Sequence, residues 1–193
     1  MIKDSGNRKE FDTGAVRDIH EGKGRCDLLP LEVLGSMFNE HYIGHSGEVL
    51  LAMAAFQKDG KKRHLIGALD GFLNSHHCPF SSLTDAILEV AKHFEEGCNK
   101  YGERNWEKGI PIHCYVDSAV RHYLKWLRGD TDEPHHRAFV WNILCCIWTC
   151  QNKPELNEYA RCANVDTCVL CGVEIPEGRQ LCPNCECERD DDK

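Results

Sequence analysis

Four cysteines near the carboxyl end of the chain have the spacing of a metal site. Two residues separate Cys168 from Cys171, and ten residues later Cys182 and Cys185 repeat this spacing. Each pair can present two thiolates to one tetrahedral Zn²⁺ ion, and so short a segment has too small a core to fold without metal. Because four thiolates leave no open position for a substrate, we predict a structural zinc ribbon. Four ordinary reduced cysteines are the alternative.

Two adjacent carboxylates, Glu95 and Glu96, could bind the divalent ion of a hydrolase. They lie on a predicted helix from Thr84 to Tyr101, and Glu95 falls at the edge of its apolar stripe. Oxygen ligands on a rigid helix suit Mg²⁺ or Mn²⁺ bridged to phosphate. The alternative is an i, i+4 ion pair between Glu96 and Lys100 on a solvated face.

A second set of polar side chains accompanies the start of a later helix. Asp132, His135 and Asn142 follow one border of its apolar stripe. We expect Asp132 and His135 to join Glu95 and Glu96 as metal ligands and catalytic residues. The alternative roles are an N-cap for Asp132 and a capping turn for His135.

Glycines and cations alternate in the first 30 residues. Backbone amides at glycines can approach phosphate closely, and the cations supply positive charge. The candidate phosphate-binding residues are three cations of this arm and two of the predicted helices, namely Arg17, Lys23, Arg25, Lys100 and Arg121. A mobile basic arm is the alternative, and Arg121 could simply pair with Asp117 at i−4.

Helices must position these groups. Apolar residues recur every three or four positions at Ile87, Ala91, Phe94, Cys98 and Tyr101, before a stop at Gly102. A second stripe begins at Ile112 and ends at Gly129, and a third helix is predicted between Asp132 and Pro154. Shorter helices are expected between Leu31 and Leu73. No run alternates as a strand before the zinc segment, so the fold class is an all-α helical bundle with a small C-terminal four-cysteine zinc ribbon.

Composition narrows the choice of partners and compartment. The 193 residues contain 23 Lys and Arg against 31 Asp and Glu, which disfavours duplex nucleic acid as a partner. No stretch approaches the ~20 apolar residues of a membrane span, and no apolar signal segment follows the first charges. With 13 cysteines, four of them in metal spacing, we expect a reducing cytoplasm.

Several longer strings resemble the phage dATP/dGTP diphosphohydrolase N-terminal domain family, which is grouped with the MazG-like all-α nucleoside triphosphate pyrophosphohydrolases. The strings are FDTGAVRD from Phe11, GKGR from Gly22, DLLP from Asp27, HFEEG from His93, KYGERNWEKGIP from Lys100, DS from Asp117, RH from Arg121, DEPH from Asp132 and WN from Trp141. They cover most of residues 8 to 150.

The resemblance implies a helical, usually oligomeric protein that hydrolyses a purine deoxynucleoside triphosphate with a divalent ion. If the chain is phage-encoded, it would act in the host cytoplasm. The chain departs from the MazG-like acidic signature, because Asn99 stands where a third acid is expected and Asp132-x-x-His135 replaces the second acidic pair. Residues 36 to 82 look like an insertion.

The predicted organisation has five parts. A Gly-rich basic arm spans residues 1–30, the helical hydrolase domain 31–152, a linker 153–166, the zinc ribbon 167–188 and an acidic tail 189–193. The predicted function is hydrolysis of a purine nucleoside triphosphate to the monophosphate and pyrophosphate with catalytic Mg²⁺ or Mn²⁺, in a homo-oligomer. A non-catalytic nucleotide-binding module whose ribbon recruits a partner is the main alternative, and a single-stranded nucleic-acid adaptor is disfavoured by the acidic charge.

Overall fold

Six helices form the body of the protein. The computed structural model describes residues 6–19, 23–41, 46–75 and 78–160 and two short strands beyond them. The helices are α1 (Leu31–His41), α2 (Ser46–Asp59), α3 (Lys62–Leu73), α4 (Leu83–Tyr101), α5 (Ile112–Arg128) and α6 (His135–Asn152). The predicted mainly helical fold is confirmed. None of the described helices is both long enough and apolar enough to cross a membrane.

Local signals in the sequence fix the ends of the long helices. Ser82 caps α4 by accepting a hydrogen bond from the backbone N–H of Asp85 at 3.1 Å. Gly102 and Gly129 end α4 and α5 with φ values of 91° and 86°, which side chains with a Cβ rarely adopt. The predicted N-cap role of Asp132 is wrong, because α6 begins at His135 after Pro134 and makes no side-chain cap.

Helix α5 lies at the centre of the core. Its largest fully buried side chains are Tyr115 and Tyr123, and α6 packs along it. Phe72 of α3 inserts between the two helices, with its ring centroid 4.9 Å from those of Trp126 and Phe139. The segment that looks like an insertion is therefore part of this core, and it also contributes Val49, Leu50, Met53, Phe56, Leu65 and Ala68.

Helix α4 buries only part of the face that its apolar stripe predicts. The buried residues are Ala86, Val90 and His93, whereas Ile87 is 56% exposed and Ala91 also faces solvent. The reason is that polar residues on this helix find partners on neighbouring elements, which the periodicity of one segment cannot reveal.

The N-terminal arm contains a hairpin where no strand was predicted. Strands β1 (Arg8–Glu10) and β2 (Val16–Asp18) pair antiparallel. Asn105 holds β2 against the body of the protein, because its side chain accepts from the N–H of Val16 at 2.9 Å and donates to its carbonyl at 2.8 Å. These contacts are long-range in sequence and leave no local periodic signal.

A second hairpin spans the boundary between the predicted linker, 153–166, and the predicted ribbon, 167–188. Strands β3 (Val165–Thr167) and β4 (Glu174–Pro176) pair antiparallel. Ile175 and Pro176 therefore lie in a strand. The predicted zinc ligands and the acidic tail lie outside the described residues, as does Gly22 of the arm.

Candidate active site

One large cavity lies where the hairpin meets the helices. Its volume is about 820 Å³, and residues of β2, α4, α5 and α6 line it together with the turns after α4 and α5. Four aromatic side chains form part of its wall, namely Phe94, Tyr101, Trp106 and Trp141. A space of this size suits a ligand as large as a nucleotide.

Three of the predicted phosphate-binding cations line this cavity: Arg17, Lys23 and Arg121. Arg17 donates one hydrogen bond from Nη2 to Asn142 Oδ1 at 2.7 Å. Its Nη1 is buried and has no hydrogen-bond partner among the described residues. Burial lowers the pKa of Lys23. The negative charge of Asp18 opposes this effect, whereas the positive charges of neighbouring cations, of which Arg121 has the largest influence, add to it.

Asp18 partly neutralises this cationic wall. Its carboxylate lies 2.9 Å from Lys100 Nζ, 3.8 Å from Lys23 Nζ and 3.1 Å from Arg8 Nη1. Lys100 is not among the residues that line the cavity. Its role in the described structure is to hold Asp18, and through Asp18 the strand β2, against α4.

Two of the five predicted cations remain to be described, and each has a close acidic partner. Arg121 forms the expected i, i+4 ion pair with the fully buried Asp117 and donates to the carbonyl of Lys23 at 3.2 Å. Arg25 binds Asp27 through Nε and Nη2, and this hydrogen bonding raises the pKa of Arg25. Arg25 does not line the cavity.

The adjacent acids of α4 point in different directions. Glu95 is exposed and lines the cavity. Glu96 accepts a hydrogen bond from Arg137 Nη2 of α6 at 3.0 Å. Neither belongs to a group of three metal-ligating side chains within 4.8 Å of one another in the part of the chain that the structure describes.

The turn between α5 and α6 does gather such a group. His122, Glu133 and His135 bring one ligand atom each within 4.8 Å of one another, and Asp130, Asp132 and His135 form an overlapping group. His122, Asp132 and Glu133 line the cavity. Of the four predicted metal ligands, the structure therefore brings Asp132 and His135 together.

Charge and burial differ across this turn. Burial lowers the pKa of His122 well below its usual value, and His135 and Arg121 lower it further. Asp132 is more exposed, and its hydrogen bonds with His135 and Lys125 hold the pKa of its carboxyl well below the usual range. A neutral imidazole and an ionised carboxylate are the forms of these groups that bind metal ions.

Two side chains to which the sequence assigned no role also line the cavity, and each has a buried nitrogen. His93 Nδ1 and Trp141 Nε1 have no hydrogen-bond partner among the described residues. Their ring centroids are 5.5 Å apart, and burial lowers the pKa of His93 to about 4. Both residues lie in the strings that carry the family resemblance, and this position is the sequence signal that could have indicated them. The periodicity of the helices does not indicate them.

Residues 74–159 match the model of a family described as dATP/dGTP diphosphohydrolase, N-terminal. The match supports this domain family for the part of the chain from α4 to α6, and the family name implies diphosphohydrolase activity. The hairpin with Arg17 precedes the matched residues. No curated protein and no solved structure matches the chain.

Proposed function

We propose that the protein hydrolyses a purine (deoxy)nucleoside triphosphate, such as dATP or dGTP, to the monophosphate and pyrophosphate. The observation that carries this proposal is that one cavity of about 820 Å³ has cations, carboxylates, imidazole and aromatic rings in its wall. The family match over residues 74–159 supports nucleotide hydrolysis.

The wall of the cavity offers two kinds of contact to a nucleotide. Arg17, Lys23 and Arg121 bind the phosphate oxygens, and the unpartnered Nη1 of Arg17 is the donor best placed to gain a hydrogen bond. The aromatic rings that line the cavity offer stacking to the base, which every purine can accept.

The reaction is attack of water on the α-phosphorus. A bond forms between the water oxygen and phosphorus, and the bond to the oxygen that bridges the α- and β-phosphates breaks, so that pyrophosphate leaves. Glu95 accepts a proton from the water, since it is a carboxylate that is exposed to the cavity. The cations stabilise the charge that develops on the phosphate oxygens.

The carboxylates and imidazoles of the α5–α6 turn would hold the divalent ion of this proposal, for which the sequence predicts Mg²⁺ or Mn²⁺. When bound, such an ion neutralises phosphate charge and helps to position the triphosphate. A structural Zn²⁺ held by Cys168, Cys171, Cys182 and Cys185 and a homo-oligomer complete the proposal. An oligomer interface would cover the exposed apolar residues Leu83, Ile87 and Leu88 of α4.

A non-catalytic nucleotide-binding or sequestering module is the second candidate, with the ribbon recruiting a partner. The observation in its favour is that charged groups on the elements around the cavity already neutralise one another. Asp18 engages Lys23 and Lys100, and Arg137 engages Glu96. Such pairs can hold a binding site together without supplying catalysis.

The two candidates differ in whether products form. The protein is incubated with a panel of nucleoside triphosphates and Mg²⁺ or Mn²⁺, and anion-exchange chromatography separates monophosphate, diphosphate and pyrophosphate. We expect pyrophosphate from a purine nucleotide, and a decrease in turnover of about 10²-fold or more in Glu95→Gln, as for loss of a general base. Glu32→Gln, on the exposed face of α1, is the matched control.

Two results would count against hydrolysis at this site. The first is the absence of pyrophosphate with every nucleotide while binding persists, which would favour the sequestering module. The second is a folded Glu95→Gln protein with undiminished turnover, which would remove Glu95 from the mechanism.

A further inference from the structure

We propose that His122, Glu133 and His135 bind one divalent ion of the first transition series, with Asp132 as a positioning residue behind His135. This site rests on the proposed function in one respect, because it would supply the ion used in hydrolysis. The ligand set differs from the one that the sequence predicts, in which Glu95 and Glu96 join Asp132 and His135.

The fold brings the three ligands together by a tight reversal of the chain. His122 lies in the second half of α5, Gly129 ends that helix with φ 86°, and His135 is the first residue of α6. Because α6 packs back along α5, its first residue lies beside the last turns of α5. Glu133 lies in the short connection between the two helices.

The distances between the ligand atoms fit one shared ion. His122 Nδ1 lies 3.0 Å from His135 Nδ1, and Glu133 Oε1 lies 3.6 Å from each of these nitrogens. Two ligands about 2.1 Å from a metal ion lie roughly 3.0 Å apart when they subtend about 90° and roughly 3.6 Å apart when they subtend about 120°. All three separations therefore fall in the range that a coordination sphere requires.

Asp132 presents the correct nitrogen of His135 to the ion. Its Oδ1 lies 2.8 Å from His135 Nε2. Since a carboxylate accepts hydrogen bonds, Nε2 carries a proton, and Nδ1 is the nitrogen left to bind an ion beside His122 and Glu133. A carboxylate that holds the far nitrogen of a metal-ligating histidine is the usual arrangement in such sites.

Hydrogen bonding alone accounts for only part of this cluster. A proton shared between the two Nδ1 atoms would explain their separation of 3.0 Å, but Glu133 would then lie 3.6 Å from both nitrogens, too far for a hydrogen bond to either. An ion between the three groups satisfies all of them at once.

The overlapping acidic group is a poorer site. Asp130 pairs with Arg128 at 2.7 Å through Nε, and Asp132 lies 3.2 Å from Lys125 Nζ. Cations next to both carboxylates oppose the binding of a further cation. Glu133 is mostly buried, with 13% of its side chain exposed, and its carboxylate lies 3.6 Å from a nitrogen of each of the two histidines.

The ligand types select the class of ion. Two imidazoles and one carboxylate suit Mn²⁺, Fe²⁺, Co²⁺ or Zn²⁺, whereas Mg²⁺ prefers oxygen ligands and water. Both His122 and Glu133 line the cavity, so an ion held there faces the space assigned to the triphosphate, and three protein ligands leave positions open for phosphate oxygens.

The test uses Mn²⁺ and the full-length protein without nucleotide. Electron paramagnetic resonance measures free Mn²⁺ during a titration, and electron spin-echo modulation detects ¹⁴N nuclei of imidazoles bound to the ion. We expect one Mn²⁺ with coupling to two imidazole nitrogens, retained in a large excess of Mg²⁺. Bound Mn²⁺ without nitrogen coupling would overturn the proposal, and this measurement on the wild-type protein needs no variant.

Variants give a second, independent readout. His122→Ala should lose this Mn²⁺, and Asp132→Asn should bind it about 10–100-fold more weakly, as when a ligand loses its orienting partner. His136→Ala removes the neighbouring histidine, which packs on Phe80, and should bind Mn²⁺ as the wild type does. Unchanged binding in His122→Ala, or equal loss in His136→Ala with circular dichroism intact, would contradict the assignment.

The metal site and the proposed hydrolysis can fail separately. Nitrogen-coupled Mn²⁺ in a protein that hydrolyses no nucleotide would leave this site standing and overturn the proposed function. Hydrolysis supported by Mn²⁺ that shows no nitrogen coupling would do the reverse.

Discussion

Replacing Asp18 with asparagine removes the carboxylate that joins three cations at the edge of the cavity. Asp18 is 12% exposed, and the side chain of Lys100, 2.9 Å away, is only 7% exposed. Asp18→Asn keeps the shape of the side chain and one oxygen acceptor, so it tests the charge. We expect the protein to become less stable while its affinity for triphosphate rises.

The cost follows from the burial of the pair. A hydrogen bond to a charged group contributes roughly 1.5–3 kcal/mol, because a poorly solvated ammonium that loses its carboxylate is not fully compensated by water. For a chain of this length a loss of about 2 kcal/mol lowers Tm by roughly 4–8 °C. Triphosphate binding should tighten, because the carboxylate of Asp18 then no longer competes with phosphate for Lys23.

Urea unfolding and calorimetric titration with a triphosphate measure the two effects. Asp130→Asn is the matched control, since Asp130 forms a solvent-exposed pair with Arg128, and such pairs contribute little to stability. An Asp18→Asn protein as stable as the wild type, or one no more destabilised than Asp130→Asn, would refute the reasoning. Weaker triphosphate binding would show that Asp18 does not oppose the ligand.

Three further predictions concern pH and packing. Burial lowers the pKa of His93 to about 4. As the pH is lowered from about 6.5 to 4, the free energy of unfolding should therefore fall by up to roughly 3 kcal/mol. The same change of pH should lower the free energy of unfolding of His93→Gln by a smaller amount. Hydrogen bonds with Cys114 and Glu158 raise the pKa of His113 to about 10. Because His113 is partly exposed, its protonated form should add less than about 1 kcal/mol to the free energy of unfolding. This contribution is complete below about pH 6.5 and is lost as the pH rises through 10. Urea titrations of His113→Gln and wild type should therefore differ at pH 6 and converge above pH 10. Phe72→Ala should lower the free energy of unfolding by about 3–5 kcal/mol because it empties a closed aromatic core.

Helices whose signals are local could be predicted from the sequence. Helices α1 to α3 lie between Leu31 and Leu73, where shorter helices are expected, and Gly102 and Gly129 end α4 and α5 as expected. In α4 and α5 an apolar period and a terminating glycine lie within the same segment. Neighbouring elements do not change these signals.

The features that escaped prediction depend on contacts between distant segments. The inward face of α4 depends on Arg137 of α6, which engages Glu96, and on Asp18 of β2, which engages Lys100. These pairs hold polar side chains against the protein, and Ile87 and Ala91 of the apolar stripe are exposed, whereas Phe94 and Tyr101 line the cavity. Periodicity within one helix contains no information about such partners.

The candidate site was predicted only in part for the same reason. Asp132 and His135 are close in sequence and were expected to lie together. Glu133 was not singled out, and its meeting with His122 depends on the path of the chain between α5 and α6. A helix end at Gly129 followed within six residues by a histidine is the sequence signal that could have indicated it.

The measurement that most directly tests hydrolysis at the α-phosphorus is a single reaction in oxygen-18 water. The protein is mixed with dGTP or dATP and Mn²⁺, and mass spectrometry locates the heavy oxygen in the separated products. Attack on the α-phosphorus places one oxygen-18 atom in the monophosphate and none in pyrophosphate. Label in pyrophosphate, formation of the diphosphate with inorganic phosphate, or no labelled product would contradict this account.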